Sequence, residues 1–484
     1  MPSPVTIVIL AAGLGTRMKS RKAKVLHHAG GKTLIEHVVE TALKLTSADR
    51  IAVVVGHQAE DVRKAVKHPG IRFVEQKEQK GTGHAVMAYR DALDAQTGLD
   101  QTGLDQTGLD QSGHLMILYG DSPLLLPETL QRLIDGQRSA ESNPDGKAAG
   151  TLLSALMHDP TGYGRVIRDT ADHVAEIVEQ KAANPQQLAI REANMGIYCY
   201  RADLFWKYVD EIRPDNPAHE YYLTDMVAIL DRAGFYVEAM QISSADEALG
   251  INDRVDLAHV DRILRHRKSR ELMIGGVTIE RPETVSIDGD VRIGMDTVVG
   301  PFARILGRTS IGENCRIGAG AIVQDSEIAD DVEIGPYTIV NRSKLERGVQ
   351  AGPFARLRFD NHVAEGAHIG NFVELKKTQM GAGSKANHLA YLGDTSVGAK
   401  TNIGAGTITC NYDGFNKHQT VIGAGAFVGS NSSLIAPVEI GDGAIVGAGS
   451  VITDPVPADS LAIGRAPQVV KPEWARKRRA LARK

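Results

Sequence analysis

The sequence predicts two folds in tandem, an α/β domain built on a mostly parallel sheet and, after it, a column of stacked six-residue β-repeats. Two observations carry this reading. Across the first 250 residues, short apolar runs at 5–12, 51–55, 114–118, 149–156 and 197–200 alternate with amphipathic stretches, which is the rhythm of strand–helix–strand units. From Ile287 onward, aliphatic residues recur every sixth position, at Ile287, Ile293, Val299, Ile305, Ile311 and Ile317, and Gly follows four of these six. A unit that short cannot bury its apolar face alone, so units must stack and share a core. The beat runs regularly as far as Ile322 and returns at Ile422, Val428, Leu434, Ile440 and Val446. Between these runs it breaks, and His, Lys, Arg, Asn and Tyr collect in the breaks.

A chain of 484 residues has length for two to four domains. A net charge of -4, with 42% hydrophobic and 5% aromatic residues, gives no sign of nucleic-acid binding, a membrane span or disorder. Cys199, Cys315 and Cys410 lie far apart with no CxxC, a usage that fits a reduced cytoplasmic protein.

Residues 1–250 are assigned to the first domain. Its opening apolar run lacks the basic flank of a signal peptide and leads straight into glycines, so it reads as a buried first strand. Three tandem QTGLD copies, from Gln96 to Asp110, cannot bury a core and read as an expanded solvated loop after a helix. Residues 251–273, with Leu257, Val260 and Leu264 on one stripe, are expected to form a linker helix. Residues 274–484 form the repeat domain. Its tail from Lys471 to Lys484 carries seven Lys or Arg against one Glu, which reads either as a solvated end or as an arm over an anionic ligand.

Leu10, Ala11, Ala12, Gly13, Leu14, Gly15, Thr16, Arg17 and Met18 stand at the end of the first strand. They are expected to open a helix whose N-terminal N–H groups face a phosphate. The pattern is not GxGxxG, which disfavours a dinucleotide cofactor. Arg17 and Lys24 add the positive charge that a triphosphate needs. Asp121, in Tyr119-Gly120-Asp121, ends another strand, where open α/β sheets place ligands; a carboxylate there suits Mg2+ against phosphates. Taken singly, Lys24 reads as a surface lysine and Asp121 as a turn cap before Ser122-Pro123.

Together with Lys24-Val25-Leu26-His27, residues 76–85 (QKEQKGTGHA), Gly162-Tyr163-Gly164-Arg165 and Ile177-Val178-Glu179, these residues resemble the sugar-1-phosphate nucleotidyltransferases, whose domain is Rossmann-like. The chain is most similar to the bacterial bifunctional N-acetylglucosamine-1-phosphate uridylyltransferase / glucosamine-1-phosphate N-acetyltransferase family, over nearly its whole length apart from the QTGLD copies. The resemblance implies that Leu10 to Gly13, Gln76, Gly81 and Thr82 hold the uridine part of UTP. It further implies that Arg17 and Lys24 face the phosphates as catalytic residues, with Tyr119 and Gly120 in the same site. Gly164, Glu179 and Asn194 would contact the amino sugar, and Asn252 would join Asp121 on Mg2+. Without the family, Asn252 reads as a helix cap. The attacking sugar phosphate has a second pKa near ~6, so no general base is required, and catalysis would rest on positioning and charge neutralisation. Two positions depart from the family. Ala23 stands where Pro is usual, which should leave the Lys24 loop freer in φ, and His219 stands where Gly commonly precedes Glu220.

In the repeat half, hexads of aliphatic-Gly-x-x-small-x resemble the left-handed parallel β-helix, which in that family associates as trimers. The interrupted stretch gathers Arg358, Lys376, His388, Tyr391, Asn402, Asn411 and Lys417. Moving an acetyl group onto a sugar amine requires that amine to lose a proton, and His, with an ordinary pKa near ~6.5, is the side chain suited to take it at neutral pH. His388 is therefore the candidate general base. The resemblance implies that Arg358, Lys376, Tyr391, Asn402 and Lys417 hold glucosamine-1-phosphate, that Ala405, Asn411, Tyr412, Ser430, Ala448 and Arg465 line the acetyl-CoA groove, and that Glu374 supports the site. Singly, Asn402 and Asn411 read as turn residues and Tyr391 as a packing aromatic. Zinc on His362, His368 and His388 is a rival reading, but it leaves Arg358, Lys376 and Lys417 unexplained. The whole-chain expectation is acetylation of glucosamine-1-phosphate, then coupling of the resulting N-acetylglucosamine-1-phosphate to UTP, a precursor step for peptidoglycan and lipopolysaccharide. The alternatives are a nucleotidyltransferase whose column only trimerises it, and a scaffold.

Overall fold

The computed structural model describes residues 3–97 and 113–482; the QTGLD copies lie largely outside the described residues. The chain divides into two compact units, Met1–Leu264 and Arg265–Lys484, with the division inside the helix Arg254–Ile274.

The first unit is built on a nine-stranded sheet. Its strands are β1 (Val5–Ala11), β2 (Ile51–Val55), β3 (Arg72–Glu75), β4 (His114–Tyr119), β5 (Ala148–Leu156), β6 (Arg165–Arg168), β7 (Val174–Val178), β8 (Glu192–Arg201) and β9 (Tyr236–Ile242). They lie in the order β3-β2-β1-β4-β8-β5-β9-β7-β6. β1 is buried on both faces, as an unbroken apolar run in a central parallel strand must be. Ile7 and Ile9 share one core with Ile35 and Val38 of the helix Leu34–Ala42, while Val8 and Leu10 share another with Val86 and Tyr89 of the helix Thr82–Thr97. The first four strands in spatial order pair in parallel, and β8 runs antiparallel to both β4 and β5. The chain leaves β1 toward β2 and β3, then returns to place β4 on the other side of β1. That reversal opens a crevice beyond the carboxyl ends of β1 and β4. Val260, with Leu257, Ile263 and Leu264, closes a small core against Met18, Ala29, Leu34 and Leu124.

The glycine-rich segment after β1 does not open an α-helix. It forms one 3-10 turn at Thr16–Met18, flanked by left-handed Gly15 (φ 60°) and Lys19 (φ 46°); a second 3-10 turn spans Lys24–Leu26. Two left-handed residues so close together interrupt helical propagation. Phosphate contacts here would come from loop N–H groups and side chains rather than from a helix dipole.

The second unit is a three-sided parallel β-helix. Its sheets contain eleven, ten and nine strands, beginning at Thr278–Ile279, Ser286–Ile287 and Arg292–Ile293. The aliphatic beat supplies the inward residues: Ile287, Val299, Ile305, Ile311 and Ile317 are buried and Ile293 packs partly against the same core. After Ile317 the inward position is Val323, and Ile322 faces outward. The beat then slips rather than stops. Val323 to Ile328, Val340 to Leu345, Leu375 to Met380 and Leu392 to Val397 are consecutive inward pairs five residues apart. All four slips fall at one corner, between the second and third sheets. At that same corner the chain inserts a small hairpin after inward Thr409 before the core resumes at Ile422. The basic tail forms an exposed helix, Trp474–Ala482.

Candidate active sites

In the first unit the predicted residues converge on the crevice. Lys24 Nζ pairs with Asp121 Oδ2, both largely buried, and the Lys24 stem passes Gly15, where a Cβ would lie 2.7 Å from Lys24 Cβ. Arg17 donates to Asn252 Oδ1 at 2.7 Å. Asn252 is tied to Asp121 through the backbone, because Ile251 N–H donates to the Asp121 carbonyl at 3.0 Å. The two sequence-distant residues named for Mg2+ therefore stand side by side, and the Lys24 ammonium occupies a cationic position on the carboxylate. One carboxylate and one amide oxygen fit a small divalent cation that takes its remaining ligands from water and phosphates.

Leu10, Ala11 and Ala12 are buried at the end of β1, whereas a Cβ on Gly13 would meet nothing within 4 Å. Gly13 therefore stands open at the mouth of the crevice, with no protein atom against it. Gly81 is different: its φ is +109° and a Cβ there would sit 2.6 Å from the Tyr221 carbonyl. Gln76, buried, donates to the Gly81 carbonyl at 3.1 Å, and Thr82 Oγ1 accepts from Leu223 N–H at 3.0 Å. Gly120 N–H donates to the Leu10 carbonyl at 2.9 Å, fastening β4's end to the glycine loop. Burial, with the nearby Glu179 and Asp121 charges, pushes the Tyr119 hydroxyl well above its ordinary value.

Gly164, Glu179 and Asn194 meet as a group. A Cβ on Gly164 would lie 3.6 Å from Glu179 Oε1 and 3.8 Å from Asn194 Cβ, and Asn194 N–H donates to the Gly164 carbonyl. Burial raises the Glu179 carboxyl. Gln79 was not foreseen: its Nε2 donates to the Ala12 carbonyl at 2.6 Å. His219 takes φ +53°, which explains why glycine suits that place and why histidine is tolerated, being one of the residues enriched in left-handed turns.

In the second unit, coils of 17 or 18 residues, lengthened to 25 where the hairpin is inserted, stack the candidates. Asn371 pairs with His388 in the first sheet, and His388 Nδ1 donates to Asn371 Oδ1 at 2.8 Å. A carboxamide oxygen can only accept, so in the neutral ring Nε2 keeps its lone pair, exposed to solvent. Along the same corner the chain places Ala405, Ser430 and Ala448 on successive coils: Gly406 N–H donates to the Leu389 carbonyl, Asn431 N–H to that of Ala405, and Gly449 N–H to that of Ser430. Arg465 Cδ lies 3.7 Å from where a Cβ on Gly449 would be. His388 thus heads a column of small residues that ends at an arginine.

The slipped corner holds the cations. Lys376, nearly fully buried, donates to Asp394 Oδ2 at 2.8 Å, and Asn411 Nδ2 donates to the same oxygen at 2.5 Å. Burial alone would lower the Lys376 ammonium, but Asp394 raises it; burial alone would raise Asp394, but Lys376 and Asn411 hold it below the usual carboxylate range. The hairpin, closed by the Tyr412–Lys417 bridge, brings Lys417 against Lys376, whose charge lowers it. Two neighbouring lysine side chains of like charge suit an anion between them. Arg358 lies 3.2 Å from Glu374 Oε1 and its guanidinium covers the Phe359 ring at 5.6 Å. Tyr391 stands next to Glu374 in the second sheet, and a Cβ at Gly393 would strike its hydroxyl and lie 2.8 Å from Asn411 Nδ2. Asn402 lies elsewhere, on the first sheet beside Lys385. The zinc rival fails on placement: His362 is on the third sheet and bonded to Glu346, whereas His368 and His388 are on the first. Asn371 and Asp394 had no assigned role, although each lies one coil length from a candidate.

Comparison with known proteins matches both halves of the chain. The MobA-like NTP transferase domain model matches residues 7–149, and the bacterial transferase hexapeptide (six repeats) model matches residues 290–325 and 419–454, on either side of the slipped, cation-bearing coils. The Bifunctional protein GlmU of Solibacter usitatus is 67% identical over 483 residues, covering 100% of this chain and 99% of that one. The chain belongs to the GlmU family. The Bifunctional protein GlmU of Koribacter versatilis is 48% identical, covering 99% of this chain and 98% of its own, and that of Anaeromyxobacter sp. Fw109-5 is 46% identical, covering 99% and 94%. Family membership makes the chain an N-acetylglucosamine-1-phosphate uridylyltransferase and a glucosamine-1-phosphate N-acetyltransferase. Its substrates are nucleotide, sugar phosphates and acetyl-CoA, with a divalent metal for nucleotidyl transfer. The column is the left-handed parallel β-helix of hexapeptide transferases. Among the described residues no helix is long and apolar enough to cross a membrane.

Proposed function

We propose that the two activities reside in two separate sites made of the residues above, and that acetyl transfer comes first. In the β-helix, Lys376, Lys417 and Arg358 hold the phosphate of glucosamine-1-phosphate, with Tyr391 and Asn402 on the sugar. Acetyl-CoA lies along Ala405, Ser430 and Ala448 with Arg465 on its phosphate end, while Asn411 and Tyr412, which stand on the slipped corner, would reach it from a second copy of the chain. The sugar amine attacks the thioester carbonyl, His388 Nε2 takes the proton from that nitrogen, and as the C–S bond breaks the imidazolium returns the proton to the departing sulfur, releasing CoA as its thiol. The observation that carries this reading is the His388–Asn371 bond, which leaves Nε2 as the acceptor.

In the α/β unit, Leu10 to Gly13, Gln76, Gly81 and Thr82 hold the uridine part and Gly164, Glu179 and Asn194 the N-acetylglucosamine. An oxygen of the sugar phosphate attacks the α-phosphorus of UTP and pyrophosphate leaves, while Lys24 and Arg17 neutralise the developing charge. The metal is Mg2+, held by Asp121 and Asn252, and supplies charge neutralisation on the phosphates. Three free cysteines support a cytoplasmic setting.

We also propose a homotrimer. Tyr337, Phe354 and Phe372 are exposed and stack at 5.4 and 5.5 Å along one corner, with exposed Leu389 next to His388. All four take positive φ values from 47° to 57°, a strained conformation for bulky residues. An exposed apolar row of this kind supports self-association, as does the placement of Asn402 on a different sheet from Tyr391. Sedimentation should give three times the 52.0 kDa chain mass, falling toward the monomer in a Phe354→Glu, Phe372→Glu variant; a monomeric native protein contradicts the proposal. The function itself is tested by incubating the chain with glucosamine-1-phosphate, acetyl-CoA, UTP and Mg2+. UDP-N-acetylglucosamine should form only with all four, and acetylated sugar phosphate should accumulate without UTP.

A further inference from the structure

The Lys24 loop is braced by a side chain outside every nucleotide-binding motif. Ala23 is buried with φ -56°, and its N–H donates to Gln58 Oε1 at 2.6 Å. Gln58 Nε2 donates to the Arg21 carbonyl at 2.8 Å, so one amide grips the backbone on both sides of Lys22. Gln58 itself takes φ +60° just before the helix Ala59–Ala65, a conformation that few residues other than glycine adopt without strain. The same turn braces the opposite wall of the crevice: a Cβ on Gly56 would lie 2.8 Å from the Ala12 carbonyl. Lys24 leaves the backbone directly after the gripped N–H. With four rotatable bonds in its stem, where its ammonium points depends on where that stem begins.

We propose that Gln58 is a positioning residue for uridylyl transfer, fixing the backbone at Ala23 so that Lys24 is aimed at the nucleotide phosphates. A proline at 23 would set φ near -65° covalently; here two hydrogen bonds hold nearly the same value. The inference rests on Lys24 acting on those phosphates. In Gln58→Ala, kcat for uridylyl transfer falls about 10- to 100-fold, as small misplacements do, while the UTP KM changes less, acetyl transfer stays at its native value and the thermal midpoint falls modestly because the Ala23 N–H loses its acceptor. Adding Ala23→Pro to that variant restores most of the lost kcat, since the ring replaces the missing restraint and needs no acceptor. A native kcat in Gln58→Ala, or no recovery on adding proline with the midpoint unchanged, overturns the proposal. If Gln58→Ala does not fold, Gln58→Glu, which keeps the acceptor for Ala23 but repels the Arg21 carbonyl, is measured instead; a smaller loss supports the proposal and a native kcat overturns it. Lys24→Ala separates the two levels. Native uridylyl transfer in that variant rejects the role of Lys24 itself, whereas its loss together with a native Gln58→Ala rejects only the positioning role.

Discussion

Asn371 and Asp394 each hold a group proposed for acetyl transfer, His388 and Lys376 respectively. Asn371 selects the His388 tautomer, so Asn371→Ala should lower the acetyl-transfer kcat by about tenfold or more while both KM values stay near native, as steady-state kinetics will show. Asp394 keeps Lys376 charged within a buried corner. Its lowered pKa means that its stabilisation is present above the unfolded value near ~3.9 and is lost as pH falls through the folded value. Lys376, raised, contributes below its unfolded value near ~10.4 and loses that share as pH rises through the folded one. The thermal midpoint of Asp394→Asn should therefore lie below native at neutral pH, with the deficit closing as the native carboxylate is protonated in strong acid. His388 and Lys376 were singled out in the sequence as residue types suited to the tasks proposed for them. Their partners were not, because a neighbour 17 or 18 positions away becomes visible only when the coil length is known.

At the scale of elements, the slipped corner is where the residues proposed to hold the sugar phosphate collect. Four five-residue steps and one hairpin insertion fall at the same edge, and Lys376, Asp394, Asn411 and Lys417 gather there. The six-residue beat foretold the stacked column; its three sheets are seen in the structure. What read as breaks are four single-residue deletions and one hairpin insertion, because a turn can lose or gain residues while the inward side chains keep their places. Thr409 shows how core and site are joined: fully buried at an inward position, its hydroxyl accepts from Gly393 N–H at 2.8 Å. Thr409→Val keeps the volume but orphans that N–H, and should cost about 1–3 kcal/mol in chemical denaturation together with a loss of acetyl transfer, since Gly393 lies between Tyr391 and Asn411. The helix expected after β1 failed for a local reason, two left-handed residues that alternation of apolar runs cannot reveal.

For the whole molecule, two compact units each assemble their own set of cations and positioning groups, and no residue proposed for one reaction is needed in the other. The order of the two folds was legible from two periodicities. The pairing of Asp121 with Asn252 was not, because it depends on chain closure over more than a hundred residues and entered only through family resemblance. The most direct measurement of the central claim is a pair of single variants, each assayed for both reactions with folding checked by thermal midpoint. His388→Ala should abolish acetyl transfer and leave uridylyl transfer at its native rate, and Asp121→Asn should do the reverse. Loss of both activities in either well-folded variant would contradict the account.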